Sequence, residues 1–182
     1  MKKILSFDQS ANASGWSYWE DDKPVAWGVV TPNPKNARGG RRLTSIRGQF
    51  EDLILGYMPD LVLIENPVGG QEDKRDGPEN NWLTMQTLCQ VQGVLLQLID
   101  ECGLPVEIIS PSSWQNTCGI HARDRKTRKE GAEAFVLEKY NIEGEQDIYD
   151  SICICFHYLS GGKEPTFVPR TSGRPNYERS AF

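Results

Sequence analysis

The chain has 182 residues, 38% of them hydrophobic and 25% charged, with a formal charge of −5. Such a chain makes one domain and buries roughly 70% of its unfolded surface. The acidic balance argues against a wholesale nucleic-acid coat but leaves room for a local basic face.

No stretch approaches the roughly 18 apolar residues of a membrane span, and "MKKILSFDQS" has too short an apolar run for a secretory signal. No membrane partner is therefore expected. Five scattered cysteines, Cys89, Cys102, Cys118, Cys153 and Cys155, show no disulfide framework and suit reduced thiols in the cytoplasm.

In chain order, "KKILSFDQS" reads as a strand that ends in Asp8 and a polar turn. "SGWSYWE" and "PVAWGVV" follow as strands across the turn "DDKP", which makes an antiparallel meander. From about Gly40 to Tyr57, Leu43, Ile46, Phe50, Leu53, Ile54 and Tyr57 keep the 3–4 spacing of an amphipathic helix. "PDLVLIEN" is apolar enough for a strand buried on both faces, and it ends in Glu65.

A polar Gly/Pro-rich loop, "PVGGQEDKRDGPEN", leads to a helix from about Asn81 to Glu101, stopped by Gly103 and Pro105. "PVEIISPSS" is a further strand, followed by a short segment around Trp114. A basic amphipathic helix runs from about Asp124 to Tyr140, and a last helix opens near Asp147. Strands that alternate with helices after a meander predict a mixed five-stranded α/β sheet, antiparallel then parallel, flanked by helices. Residues 1–160 form this domain, and 161–182, rich in Gly, Pro and Ser, a flexible C-terminal tail.

The acids fall at telling places. Asp8 and Glu65 each end a strand, and parallel neighbours bring such ends to one rim of the sheet, where α/β folds put ligands. Asp147 and Asp150, three apart at a helix start, share a face. Such acids can simply complement the helix dipole. Four carboxylates at one rim, however, repel: one pair at ~4 Å costs on the order of 4 kcal/mol at an effective dielectric of 20. Hard divalent cations such as Mg²⁺ relieve that repulsion, and two of them roughly 3.5–4 Å apart serve in-line phosphoryl displacement.

With these motifs the chain resembles the RuvC-like Holliday junction resolvases of the RNase H-like superfamily, from about Lys3 to Leu159. "ILSFDQSANASGW" is similar to the family's opening strand, with its Asp and a Gly-aromatic pair, here Gly15 and Trp16. "LVLIENP" resembles the strand ending in Glu, and "DIYDSICICFHYL" the closing helix. The resemblance implies an RNase H-like fold. It also implies a metal-binding catalytic tetrad of Asp8, Glu65, Asp147 and Asp150 with two Mg²⁺ ions, Mn²⁺ substituting, and a homodimer that nicks branched DNA in pairs. The chain departs from the family where Gln115 follows Trp114, at a place where many members have lysine. A second family lysine corresponds to Arg125 or Lys126.

Basic residues supply a matching DNA surface: Arg41 and Arg42 from "RGGRR", Lys74 and Arg75 from the loop after Glu65, and Arg123, Arg125, Lys126 and Arg128 from "HARDRKTRK". Such contacts hold the phosphate backbone and carry no sequence information. Two other readings stand beside the resolvase: an RNase H-like enzyme cutting another nucleic acid such as RNA/DNA hybrid, and a non-catalytic branched-DNA-binding module. A two-domain sugar-kinase or actin-like fold also opens on a strand, an Asp and a Ser/Gly turn, but needs more chain. Cys118 with His121, and Cys153 with Cys155 and His157, make poor zinc sites. Trp16, Trp19 and Trp27 read as core residues.

Overall fold

A computed structural model describes residues 1–67, 77–122, 124–162 and 166–167; for 77–81 and 166–167 the description covers the backbone alone. The elements in chain order are β1 (Lys3–Asp8), β2 (Ser14–Glu20), β3 (Lys23–Val30), α1 (Gly39–Tyr57), β4 (Leu61–Glu65), α2 (Gly77–Glu101), β5 (Val106–Ile109), α3 (Pro111–Thr117), α4 (Arg125–Tyr140), α5 (Gln146–Leu159) and β6 (Thr166–Phe167). They form one mixed sheet in the order β3-β2-β1-β4-β5-β6. The meander β1–β2–β3 is antiparallel, β4 and β5 lie parallel to β1, and β6 pairs antiparallel with β5.

The five expected strands are therefore present, with a two-residue sixth beyond β5. Thr166 and Phe167 of the expected tail belong to that strand, and 163–165 and 168–182 of it lie outside the described residues. Helix α2 starts at Gly77, four residues before the position its periodicity marks, because the Gly/Pro-rich run that reads as loop already contributes its last residues to the helix. Among the described residues, no helix is long and apolar enough to cross a membrane.

Alternation along the strands divides the core in two. Leu5 and Phe7 of β1, with Val62 and Ile64 of β4, face α1 and α2, where Ile46, Phe50, Leu95 and Ile99 pack on them. Ile4, Leu61 and Leu63 face the opposite way, into a cluster with Trp114 of α3, Val136 of α4 and Ile148, Tyr149 and Ile152 of α5. The same alternation carries Asp8 and Glu65 onto this second face.

Cross-strand pairs on that face taper toward the rim: Ile4 opposite Trp19, then Ser6 opposite Ser17, then Asp8 opposite Gly15. Small side chains let α5 come in close, and the Ser17 hydroxyl donates to the Ser151 carbonyl at 3.1 Å. At Gly15 the approach is closest, since a Cβ there would stand 1.7 Å from the Asp147 carbonyl oxygen. Only glycine fits.

Candidate metal and nuclease site

β1, β4 and β5 run in one direction, so Asp8, Glu65 and Ile109 end at the same rim. β3 also ends there, at Val30, being antiparallel to β2. The amino end of α1, with Arg38, Arg41 and Arg42, accordingly starts at that rim. α4 likewise has its amino end there: Lys129 lies 3.9 Å from Asp147, while Tyr140 packs edge-on against Trp19 at the far end of β2. The topology thus brings four acids and two basic helix starts to one edge.

The four acids are close enough to change one another's chemistry. Asp8 and Glu65 follow the registered pair Phe7 and Ile64, and their carboxyls are hydrogen-bonded to each other. Burial pushes the Asp8 carboxyl well up, and Glu65, Asp150 and Asp147 push it further, against a pull from Lys129. Burial raises Glu65 to about 7 despite hydrogen bonds from Trp114 and Asp8. Asp150 is also raised to about 7, by burial and then by Glu65 and Asp147, with Lys129 and Arg125 opposing. Asp147 is raised by burial, and Lys129 counters it. With Glu65 beside it, the Asp8 carboxyl resists ionisation.

Among the described residues, no three His, Cys, Asp or Glu side chains are drawn together into a ready-made cage. The chemistry of the donor set nonetheless fits a hard divalent cation, which takes carboxylate oxygens and whose charge would offset the repulsion among these acids. Asp8, Glu65, Asp147 and Asp150 are the residues that would hold it.

Of the expected DNA-contact residues, Arg41, Arg125 and Lys126 are exposed, and Arg128 is half-buried. Arg41 and Lys35 line an open groove between the residues after β3 and α1, with Gly40, Thr44 and Gln49. Arg42 turns back to donate through Nε to the Ala37 carbonyl at 2.9 Å, so part of its job is to hold the turn before α1. Lys126 lies 3.7 Å from Glu130. Lys74, Arg75 and Arg123 fall outside the described residues. Trp19 is core, as expected; Trp16 is half-buried, and Trp27 on β3, the edge strand among the described residues, is 37% exposed. His157 is buried, its Nδ1 2.6 Å from the Thr117 hydroxyl.

Three residues have roles at the site that the sequence does not assign to them, although Lys129 stands in the basic run "HARDRKTRK". Lys129, one turn after Arg125 on α4, is the cation that bears on Asp8, Asp147 and Asp150; the i, i+4 spacing was its signal. Gln9 is 4% exposed and clamps the Glu65 backbone, donating through Nε2 to its carbonyl and accepting from its amide N–H at 3.1 Å. Trp114 donates through Nε1 to Glu65 Oε1 at 2.8 Å. Neither contact has a local sequence signature, since each joins residues far apart in the chain.

This sheet order, with its carboxylate-ended strands and closing helix, defines an RNase H-like fold. No protein-family profile matches the chain. It is similar to the crossover junction endodeoxyribonuclease RuvC of Dictyoglomus thermophilum, 25% identical over 160 residues that cover 86% of this chain and 95% of the relative. It is similar also to the RuvC of Ehrlichia chaffeensis, 26% identical over 158 residues, covering 84% and 92%. The solved T. thermophilus RuvC in complex with Holliday junction substrate superposes with a TM-score of 0.67 at 13% identity, covering 88% of this chain and 97% of that one. The chain is RuvC-like, in sequence along most of its length and in fold.

Proposed function

We propose that this chain is a metal-dependent, structure-selective endodeoxyribonuclease that resolves Holliday junctions and related branched DNA by paired nicks. The observation that carries the reading is the gathering of Asp8, Glu65, Asp147 and Asp150 from β1, β4 and α5 at one rim, beside the basic start of α4. The likeness to RuvC proteins along most of the chain supports it.

In this reading the four carboxylates hold two Mg²⁺ ions, with Mn²⁺ as a substitute. The ions supply charge stabilisation at the attacking and leaving oxygens of a phosphodiester. Lys129, paired with Asp147, keeps positive charge beside the scissile phosphate. Arg41, Arg125, Lys126 and Arg128, with Arg42, Lys74, Arg75 and Arg123, hold the flanking backbone, an affinity that falls with salt. Glu65 and Asp150, both raised to about 7, must lose their protons before they can serve as ligands.

Symmetric cutting needs two sites, and a second copy of the chain supplies the other. The first half of α2 offers the surface for it: Trp82 is 69% and Leu83 58% exposed, next to the half-buried Met85 and Leu88. All five cysteines are free, which suits a protein of the reducing cytoplasm.

The test is a gel assay with Mg²⁺ and with EDTA on a four-way DNA junction, a linear duplex of the same sequence and an RNA/DNA hybrid. Paired symmetric nicks in the junction alone, lost with EDTA, are expected. Cutting confined to the hybrid would move the activity to the RNase H class. Binding without cutting would leave a branched-DNA-binding module.

A further inference from the structure

We propose that Trp114 is a positioning residue for Glu65: its indole N–H holds the carboxylate in the orientation that receives a divalent cation. This rests on the reading of Glu65 as a metal ligand. The indole ring is 3% exposed, locked in the cluster with Ile148, Tyr149 and Ile152 of α5. Its Nε1 donates to Glu65 Oε1 at 2.8 Å. Indole nitrogen is a donor only and carries no charge. It therefore cannot take a metal itself, nor neutralise the carboxylate as a lysine would. What it can do is fix a flexible side chain.

Glu65 is held from two independent sides. Gln9 on the β1 side clamps its backbone through both an N–H and a carbonyl contact. Trp114 on the α3 side takes one oxygen of its carboxylate. The helix that carries Trp114 is itself tied to α5 by the Thr117–His157 contact at 2.6 Å. Through α3, then, the acid on β4 is braced against the helix that brings Asp147 and Asp150. The Trp114–Glu65 hydrogen bond and the Thr117–His157 contact together link the two halves of the site.

Groups that orient metal ligands without touching the metal typically change metal affinity or activity by 10- to 100-fold when removed. Two variants remove the N–H: Trp114→Phe, and replacement of Trp114 by the near-isosteric 3-benzothienylalanine, which keeps ring size and carries the test if the smaller ring loosens the fold. Mn²⁺ binding is measured by titration calorimetry on the metal-free protein, and the Mg²⁺ dependence of junction nicking is measured beside it. Glu65→Gln serves as reference.

Both Trp114 variants should bind Mn²⁺ about tenfold more weakly and need correspondingly more Mg²⁺ for half-maximal nicking. At saturating metal, their nicking should return toward the native rate, with KM for the junction unchanged. Glu65→Gln should not recover. Unchanged Mn²⁺ affinity in the 3-benzothienylalanine variant, with Glu65→Gln impaired, would overturn the positioning role alone. Unchanged affinity and nicking in Glu65→Gln would overturn the metal-site reading and this inference with it.

Discussion

The two faces of the sheet are built from the same strands and differ in what they are for. Toward α1 and α2 the strands present Leu5, Phe7, Val62 and Ile64, and the gap is filled by large side chains such as Phe50, edge-on to Phe7 at 5.0 Å between centroids. Toward α5 the side chains shrink from Ile4 and Trp19 to Ser6 and Ser17 and end at Gly15, Asp8 and Glu65. The first face maximises burial. The second gives up apolar area near the rim so that the start of α5 can lie against the sheet and bring its acids to Asp8. Stability and chemistry are thus assigned to opposite sides of the strands, one residue apart.

That division can be broken from either side. The largest effect belongs to Asp8→Asn, which should lower junction nicking by about a thousandfold, since a metal site supplies several kcal/mol at the transition state. DNA binding should be kept or improved, and thermal stability should rise because one of the repelling acids is gone. Normal nicking by this variant would remove Asp8 from the site. On the other face, Phe50→Ala should cost about 3–5 kcal/mol of stability. At a temperature where the variant is folded, nicking per folded molecule should be unaltered; denaturant unfolding and a nicking assay check both halves.

Gly15→Ala sits between the two regimes. Its methyl meets the Asp147 carbonyl, so overpacking of about 1–3 kcal/mol is expected, together with a loss of nicking larger than the loss of folded protein. If stability and nicking fall in step, the close approach of α5 serves packing alone.

A milder lever is pH. Glu65 and Asp150 titrate at about 7 in the folded protein, against roughly 4 when unfolded. The folded state therefore binds more protons than the unfolded one between those values. The stability these two groups contribute is present below about pH 4 and is lost as the pH rises toward 7. Metal-free protein should lose melting temperature over that window, and Mg²⁺ should restore it most above pH 7. Scanning calorimetry in EDTA and in Mg²⁺ decides; a profile unaffected by Asp150→Asn would contradict the assignment.

The smallest effect is that of Ser6→Ala. Among the described residues the buried Ser6 hydroxyl has no hydrogen-bond partner, so its loss should be neutral or stabilising by about 1 kcal/mol, without change in nicking.

Much of this was legible in the sequence because it is periodic or sits at element ends. The alternation of "KILSFD" and "LVLIE" puts Asp8 and Glu65 on the same side of their strands. The three-residue spacing of Asp147 and Asp150 follows from helical geometry, and the strand–helix order implies a sheet with one ligand-bearing rim. The amphipathic spacing of α1 likewise marks a face of Leu43, Ile46, Phe50, Leu53, Ile54 and Tyr57, of which Ile46, Phe50 and Ile54 are buried. Those are local properties, set by the pitch of the chain.

What the tertiary structure alone decided is pairwise and distant in sequence. That Gly15 is needed for α5 rather than for a turn, that Gln9 clamps Glu65, and that Trp114 reaches the Glu65 carboxylate are contacts spanning dozens of residues. No local period encodes them. They exist because closing the sheet and docking α3, α4 and α5 on one face makes neighbours of side chains that the chain itself keeps far apart.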